Sequence, residues 1–183
     1  MAAYAEASIL DRDAALSADA DPRRVVIAGA TGGIGAAFCE AVAHHFPAAQ
    51  LIRLARSTAN LPSVANATQD LAFDITDEQT IKAAVAHIDD ASVDWVFGAT
   101  GWLHGDKRRP EKTFKQLNAD NLAHAYLINA IGPSLLVKHL APKLATDRAA
   151  HVGILSARVG SISDNRLGGW HAYRASKAAL NML

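Results

Sequence analysis

Short runs of branched apolar residues recur along the chain, and stretches with helical spacing fall between them. In residues 23–28, Val25, Val26 and Ile27 follow one another without polar alternation, the pattern of a strand buried on both faces. Residues 50–55, 70–76, 94–97 and 151–155 read as four more strands. Helical patterns occupy residues 36–42, residues 77–88 behind a capping box of Thr76 and Gln79, and residues 120–144. In the last of these Leu122, Tyr126, Asn129, Pro133, Leu136 and Leu140 fall along one stripe. The alternation predicts an α/β fold, a doubly wound, Rossmann-like parallel sheet with helices on both faces.

The junction of the first strand and the first helix is Gly29-Ala30-Thr31-Gly32-Gly33-Ile34-Gly35. Glycines permit positive φ and close approach of the backbone to a pyrophosphate, and the helix start offers free N–H groups. Strand, glycine turn and helix together point to dinucleotide binding by Gly29, Thr31, Gly32, Gly33, Ile34 and Gly35. The glycines fit both GxxxGxG and GxxGxxG, so the turn does not choose a subfamily. The second strand ends at Arg56, where an acid suits a ribose 2′-hydroxyl and a base suits a 2′-phosphate. This favours NADP over NAD, against a solvated arginine at a strand end. Asp74, with Ile75 beside it, reads equally as a partner for an adenine amino group or as a turn cap. The fourth strand breaks at Gly98-Ala99-Thr100-Gly101, where Ala99 and Thr100 let a cofactor pass close to the backbone.

Tyr173 and Lys177 are four residues apart and share a helix face. A phenol ordinarily titrates near pH 10, and a nearby ammonium favours its ionised form. Such a tyrosine can pass a proton to or from a carbonyl or alcohol oxygen. The plain alternative is an amphipathic surface pair. Pro133 has no N–H for the carbonyl of Asn129, which leaves either a simple kink or a carbonyl free to hold water.

Composition narrows the field. Half of the 183 residues are hydrophobic, enough for one domain with a sizeable core. Eighteen basic residues balance eighteen acidic ones, so no global field recruits nucleic acid or membrane. The loop from Trp102 to Lys112 holds Lys107-Arg108-Arg109, a run too short and too flanked by acids to suggest nucleic-acid binding, and it reads as a solvated loop. The single cysteine, Cys39, has no disulfide partner within the chain, and His104 has no ligand partners at metal spacing. Residues 1–22 are alanine-rich and carry four aspartates, the expectation being a mobile tail or short helix outside a domain of residues 23–183. Neither a secretory signal nor a spanning segment is apparent, so a cytoplasmic protein is expected.

Taken together, the glycine turn, Asp74, Asn129, Ser156, Tyr173 and Lys177 occur in an order that resembles the short-chain dehydrogenase/reductase family. The segments 129–133, 156–162 and 173–181 look most like its C-factor-like bacterial branch. The resemblance implies an NADP-dependent oxidoreductase acting on a small carbonyl or alcohol substrate. Tyr173 would be the general acid/base, Lys177 would tune it and bind the nicotinamide ribose, and Asn129 would hold a relay water. A serine would orient the substrate. Alignment on Gly160 puts the family's serine at Ala157, leaving Ser156 as the choice and Ser161 as the alternative. The resemblance also implies an oligomer surface on helices 120–144 and 170–183. Family members usually continue through two further strands, so the C-terminal strands are expected to be missing. Two other readings stand: a non-catalytic nucleotide sensor or signalling module, and a sugar-nucleotide epimerase-like enzyme that would retain NAD. Trp102, Leu103, Trp170 and His171 suggest either an aromatic substrate pocket or ordinary packing.

Overall fold

The computed structural model describes residues 21–105, 108–166 and 168–183. The expected arm of residues 1–22 lies outside the described residues, apart from Asp21 and Pro22. Strands β1 (Arg24–Ala28), β2 (Gln50–Ala55), β3 (Ala67–Ala72), β4 (Trp95–Gly98) and β5 (His151–Ile154) form one sheet. Its order is β3-β2-β1-β4-β5 and every pairing is parallel. The order reverses at β1, which makes the carboxyl ends of β1 and β4 the switch point where such sheets take ligands.

Alternation along β1 explains the layers. Val25 and Ile27 face one side, where they pack with Leu51 and with Cys39 and Val42 of α1 (Gly33–His45). Val26 and Ala28 face the other, with Ile52, Leu54 and two helices, α2 (Glu78–Val85) and α4 (Gly132–Leu140). Full burial of each Val or Ile contributes roughly 1.5–3 kcal/mol, so β1 anchors both layers. The remaining helices are α3 (Ala119–Tyr126) and α5 (His171–Met182), which pack on each other.

Several boundaries differ from the sequence reading. β3 begins and ends earlier than residues 70–76, because its residues alternate between half-buried and exposed and carry Thr68, Gln69 and Asp70. The bidentate pair of Arg53 with Asp70, at 2.7 and 2.8 Å, locks this edge strand to β2, and Arg53 also donates to the carbonyl of Pro62. The cap of α2 is Asp77, whose side chain accepts from the amide of Gln79; Thr76 instead turns its hydroxyl to Asp74. The helix ends at Val85 and not at Ile88. The stripe of residues 120–144 is one rod in three parts: α3, a π-helical segment Leu127–Ile131, and α4 with a short 3-10 turn after it. Within it the amide of Gly132 reaches five residues back to the carbonyl of Leu127. Pro133 marks the place, since its ring supplies no donor to Asn129.

Candidate active site

Strand β1 runs into the turn with Gly29 at φ +83°, and a side chain there would press on Ala99 and Thr100 at 3.1 Å. Gly35 is tighter still, because a Cβ would lie 2.2 Å from the carbonyl oxygen of Gly29. Gly32 ends the turn by donating to that same carbonyl, and α1 then starts with no side chain over its first amides. The N–H groups of Gly33, Ile34 and Gly35 have no acceptor within the helix. Gly33 has open space where a Cβ would stand.

Beside this turn lies a cleft of about 500 Å³ at the carboxyl edge of the sheet. Gly29, Thr31 and Gly32 form one wall, Arg56, Asp74 and Ile75 the second, and Ala99, Thr100 and Gly101 the third. Trp102, His104 and His124 close its far end, with the Trp102 and His124 rings edge-to-face at 4.8 Å. Asp74 accepts from the backbone and hydroxyl of Thr76 at 2.9 and 2.7 Å. These bonds, with a smaller contribution from the Arg56 charge, hold its carboxyl below the usual carboxylate range. Asp74 therefore does cap a turn, and it also lines the cleft.

The cleft fits a dinucleotide. Thr100 Oγ1 is buried without a hydrogen-bond partner, a condition that a bound polar molecule relieves. The glycines leave the backbone bare along one wall, and the uncapped first amides of α1 follow directly on Gly32 of that wall, although Gly33, Ile34 and Gly35 do not line the cleft themselves.

Asn129, Ser156, Tyr173 and Lys177 do not line that cleft, but two of them reach its edge. Asn129 is wholly buried in the π-helical segment. Its Oδ1 accepts from the amide of Trp102 and its Nδ2 donates to the Trp102 carbonyl, both at 2.8 Å. Nδ2 also donates to Ser176 Oγ at 3.0 Å, and Ser176 in turn donates to the carbonyl of Tyr173. Lys177 is buried, with Nζ donating to the Leu155 carbonyl at 2.7 Å. A Cβ on Gly101 would sit 3.7 Å from Asn129 Oδ1 and 3.8 Å from Lys177 Nζ. The ammonium lies 5.9 Å from the centre of the Tyr173 ring.

Burial pushes the Tyr173 phenol up and the Lys177 ammonium down. Ser156 is exposed and donates to Asn181 Oδ1, two helical turns beyond Tyr173. Ser161 caps the turn at Asp164.

Three supporting residues carried no local signal. Ser176 links Asn129 to the Tyr173 backbone. Gly160 lets the loop after β5 lie against Lys177, whose Cβ would be 2.8 Å from a side chain there. Glu111, in a loop read as solvated, is buried, and it takes the amides of Trp170 and Ala172 through its carbonyl and carboxylate. It thereby fixes the first turn of α5.

A family model described as short chain dehydrogenase matches residues 23–183. The chain belongs to that family. This dehydrogenase-family chain is 32% identical over 123 residues to the 1-hydroxy-2-glutathionyl-2-methyl-3-butene dehydrogenase of Rhodococcus sp. (strain AD45), covering 66% of this chain and 51% of that one. Over 62 residues it is 40% identical to C-signal of Myxococcus xanthus, or 34% of this chain and 37% of that protein, in agreement with a C-factor-like branch. The chain spans about half the length of the Rhodococcus relative. A protein described as a short-chain dehydrogenase/reductase from Burkholderia multivorans, solved with bound NADP, superposes with a TM-score of 0.73 at 25% identity, covering 88% of this chain and 70% of that one. Among the described residues, no helix is long and apolar enough to cross a membrane.

Proposed function

We propose that this chain binds NADP at the carboxyl edge of its sheet and supplies the acid/base half of a carbonyl–alcohol interconversion. The observation that carries the reading is the convergence of Lys177 Nζ and Asn129 Oδ1 on Gly101, a residue of the cleft itself. It joins the nucleotide cleft to the helix that bears Tyr173. Thr31, Gly32 and the α1 amides would hold the pyrophosphate, and Ala99 and Thr100 would lie against the ribose side. Arg56, with no acid at the end of β2, would favour a 2′-phosphate. When bound, the nicotinamide supplies or takes the hydride at the substrate carbon.

The protein's part is the proton on the substrate oxygen. Tyr173 donates it in reduction and accepts it in oxidation. A phenol is protonated at neutral pH and burial raises its pKa further, so the tyrosine is set as a donor, and oxidation needs the Lys177 charge to stabilise the phenolate. Asn129 holds the Trp102 loop and, through Ser176, the Tyr173 backbone in register. Ser156 would orient the substrate only after releasing Asn181. That last point favours a second reading, in which the chain binds the nucleotide without turnover.

Titration with NADPH and NADH, read by tryptophan fluorescence, tests the cofactor; preference for NADH removes the Arg56 assignment. Turnover of a reducible aldehyde, wild type against Tyr173→Phe, tests the chemistry. Loss on substitution supports the tyrosine, undiminished turnover removes it, and binding without turnover in the wild type selects the second reading.

A further inference from the structure

The chain carries no net charge, yet its cations are unevenly placed around Trp170. One side of this residue borders a cavity of about 510 Å³ lined by Arg108, Arg109 and Lys112. Among the described residues, none of these three forms an ion pair. The other side borders a cavity of about 550 Å³ that presents Arg158, Arg166 and Arg174. Asp164 is the single acid there, meeting Arg158 at 2.9 Å and Arg166 at 3.6 Å. One carboxylate cannot neutralise three guanidiniums, so both cavities are left positive.

The position matters as much as the charge. One cavity comes from the loop after β4 and the other from the loop after β5, the two loops that follow the sheet's carboxyl edge on the Tyr173 side. Trp170 stands between them at φ +50°, a conformation rare for a bulky side chain, and its amide is held by the carbonyl of Glu111. Its ring meets that of Tyr173 at 6.4 Å, edge to face. Arg174, the next residue after Tyr173, is tied to the carbonyls of Val159 and Gly169 and so keeps its guanidinium at the cavity wall.

We propose that the substrate of this site is an oxyanion: a carbonyl compound or alcohol bearing a carboxylate or phosphate, held by these arginines against Trp170 while its reacting oxygen meets Tyr173. Anion binding by the arginines stands by itself, and only the meeting of the reacting oxygen with Tyr173 rests on the reductase reading. Arginine suits the task because its planar fork pairs with carboxylate and phosphate oxygens.

Two measurements on the wild-type chain and on Arg109→Gln and Arg166→Gln decide it. The first compares kcat/KM for 4-carboxybenzaldehyde with its methyl ester, and for 4-formylphenyl phosphate with 4-methoxybenzaldehyde. One anion is expected to be favoured by about tenfold or more, chiefly in KM, with the preference shrinking in salt and in the two variants. The pair that shows the preference identifies carboxylate or phosphate. Equal or better use of both neutral partners overturns the proposal. The second is a fluorescence titration with unreactive terephthalate and phenyl phosphate against dimethyl terephthalate, with Trp170→Phe identifying the reporting ring. Saturable quenching by an anion alone, weakened in the arginine variants, supports the pocket even if no aldehyde is reduced. Absence of quenching by both anions, or equal quenching by the neutral diester, overturns it. Loss of turnover with anion binding intact overturns the reductase reading instead.

Discussion

The side-chain amide of Asn129 clasps the backbone of Trp102 through two hydrogen bonds of 2.8 Å, across 27 positions of sequence. A third bond, to Ser176, ties the same amide to the helix that carries Tyr173 and Lys177. One buried group thus fixes the loop after β4, the interrupted helix and α5 together.

Replacing it should be costly. Asn129→Ala leaves the Trp102 amide and carbonyl unpaired in the interior, for a loss of about 3 kcal/mol. For a domain of this size that corresponds to roughly 6–12 °C in Tm. Thermal melts followed by circular dichroism check the figure; an unchanged Tm would show that the clasp is dispensable.

The glycine turn offers a paired test. Gly35→Ala places a methyl group 2.2 Å from the Gly29 carbonyl, so the turn must move, and both stability and nucleotide binding should fall. Gly33→Ala meets no protein atom within 4 Å, so its melt should match the wild type. If the cleft holds a pyrophosphate, Gly33→Ala should nevertheless weaken NADPH binding in the fluorescence titration. Normal binding by Gly33→Ala would place the phosphates elsewhere.

Much of this architecture could be read in advance, and the failures share a cause. Residues 23–35 announce strand, turn and helix because the buried strand has no polar face and the turn needs glycine. Pro133 announces a break near Asn129 because its missing donor is a local fact. The sequence pattern puts β3 later than it lies because the strand's polar residues serve an edge, and Asp70 has its reason only in Arg53 on the neighbouring strand. Glu111 and Ala172 lie 61 residues apart, and no periodicity encodes a contact of that span. The loop bearing Glu111 therefore read as solvated. Ser156 reads as available for the same reason, since its bond to Asn181 exists only once α5 packs against the loop after β5.

Asp94 should set part of the acid limit of stability. Its carboxylate is buried, which opposes ionisation, but Arg148 and the amides of Arg23 and Arg24 outweigh that and hold its pKa below the usual carboxylate range. A depressed folded value stabilises the fold above the unfolded pKa of about 3.9 and loses that contribution as pH falls through the folded value. Asp94→Asn is expected to cost about 2 kcal/mol at neutral pH. In urea melts from pH 7 to pH 3 the gap between variant and wild type should narrow only below about pH 4. A gap constant with pH would locate the effect in packing and not in charge.

Lys177 runs the other way. Burial lowers its pKa, so the unfolded chain holds that proton more tightly and the buried charge opposes folding at neutral pH. The penalty fades as pH rises towards the unfolded value near 10.4. Lys177→Met keeps the stem, removes the charge and gives up the bond to Leu155, two opposing effects. Its Tm should remain within about 3 °C of the wild type. Turnover should drop by about 100-fold or more if the ammonium tunes Tyr173. A large loss of Tm with retained turnover would make the lysine structural.

The π-helical segment of residues 127–131 amounts to one residue more than a regular helix would hold between α3 and α4. Deleting Ile128 would restore an unbroken α-helix, and by backbone hydrogen bonding alone the shorter chain would be the better helix. It would leave α3 and α4 in the same relative phase, because a regular helix spans that gap with one residue fewer. His124 would still reach the cleft and Leu136 and Leu140 the core, but the wide turn from which Asn129 bonds Trp102 and Ser176 would be gone. The extra residue is a slack loop in the rod: the apolar spacing slips by one position across it, the two helices keep their bearing, and the width gained is where Asn129 makes its bonds.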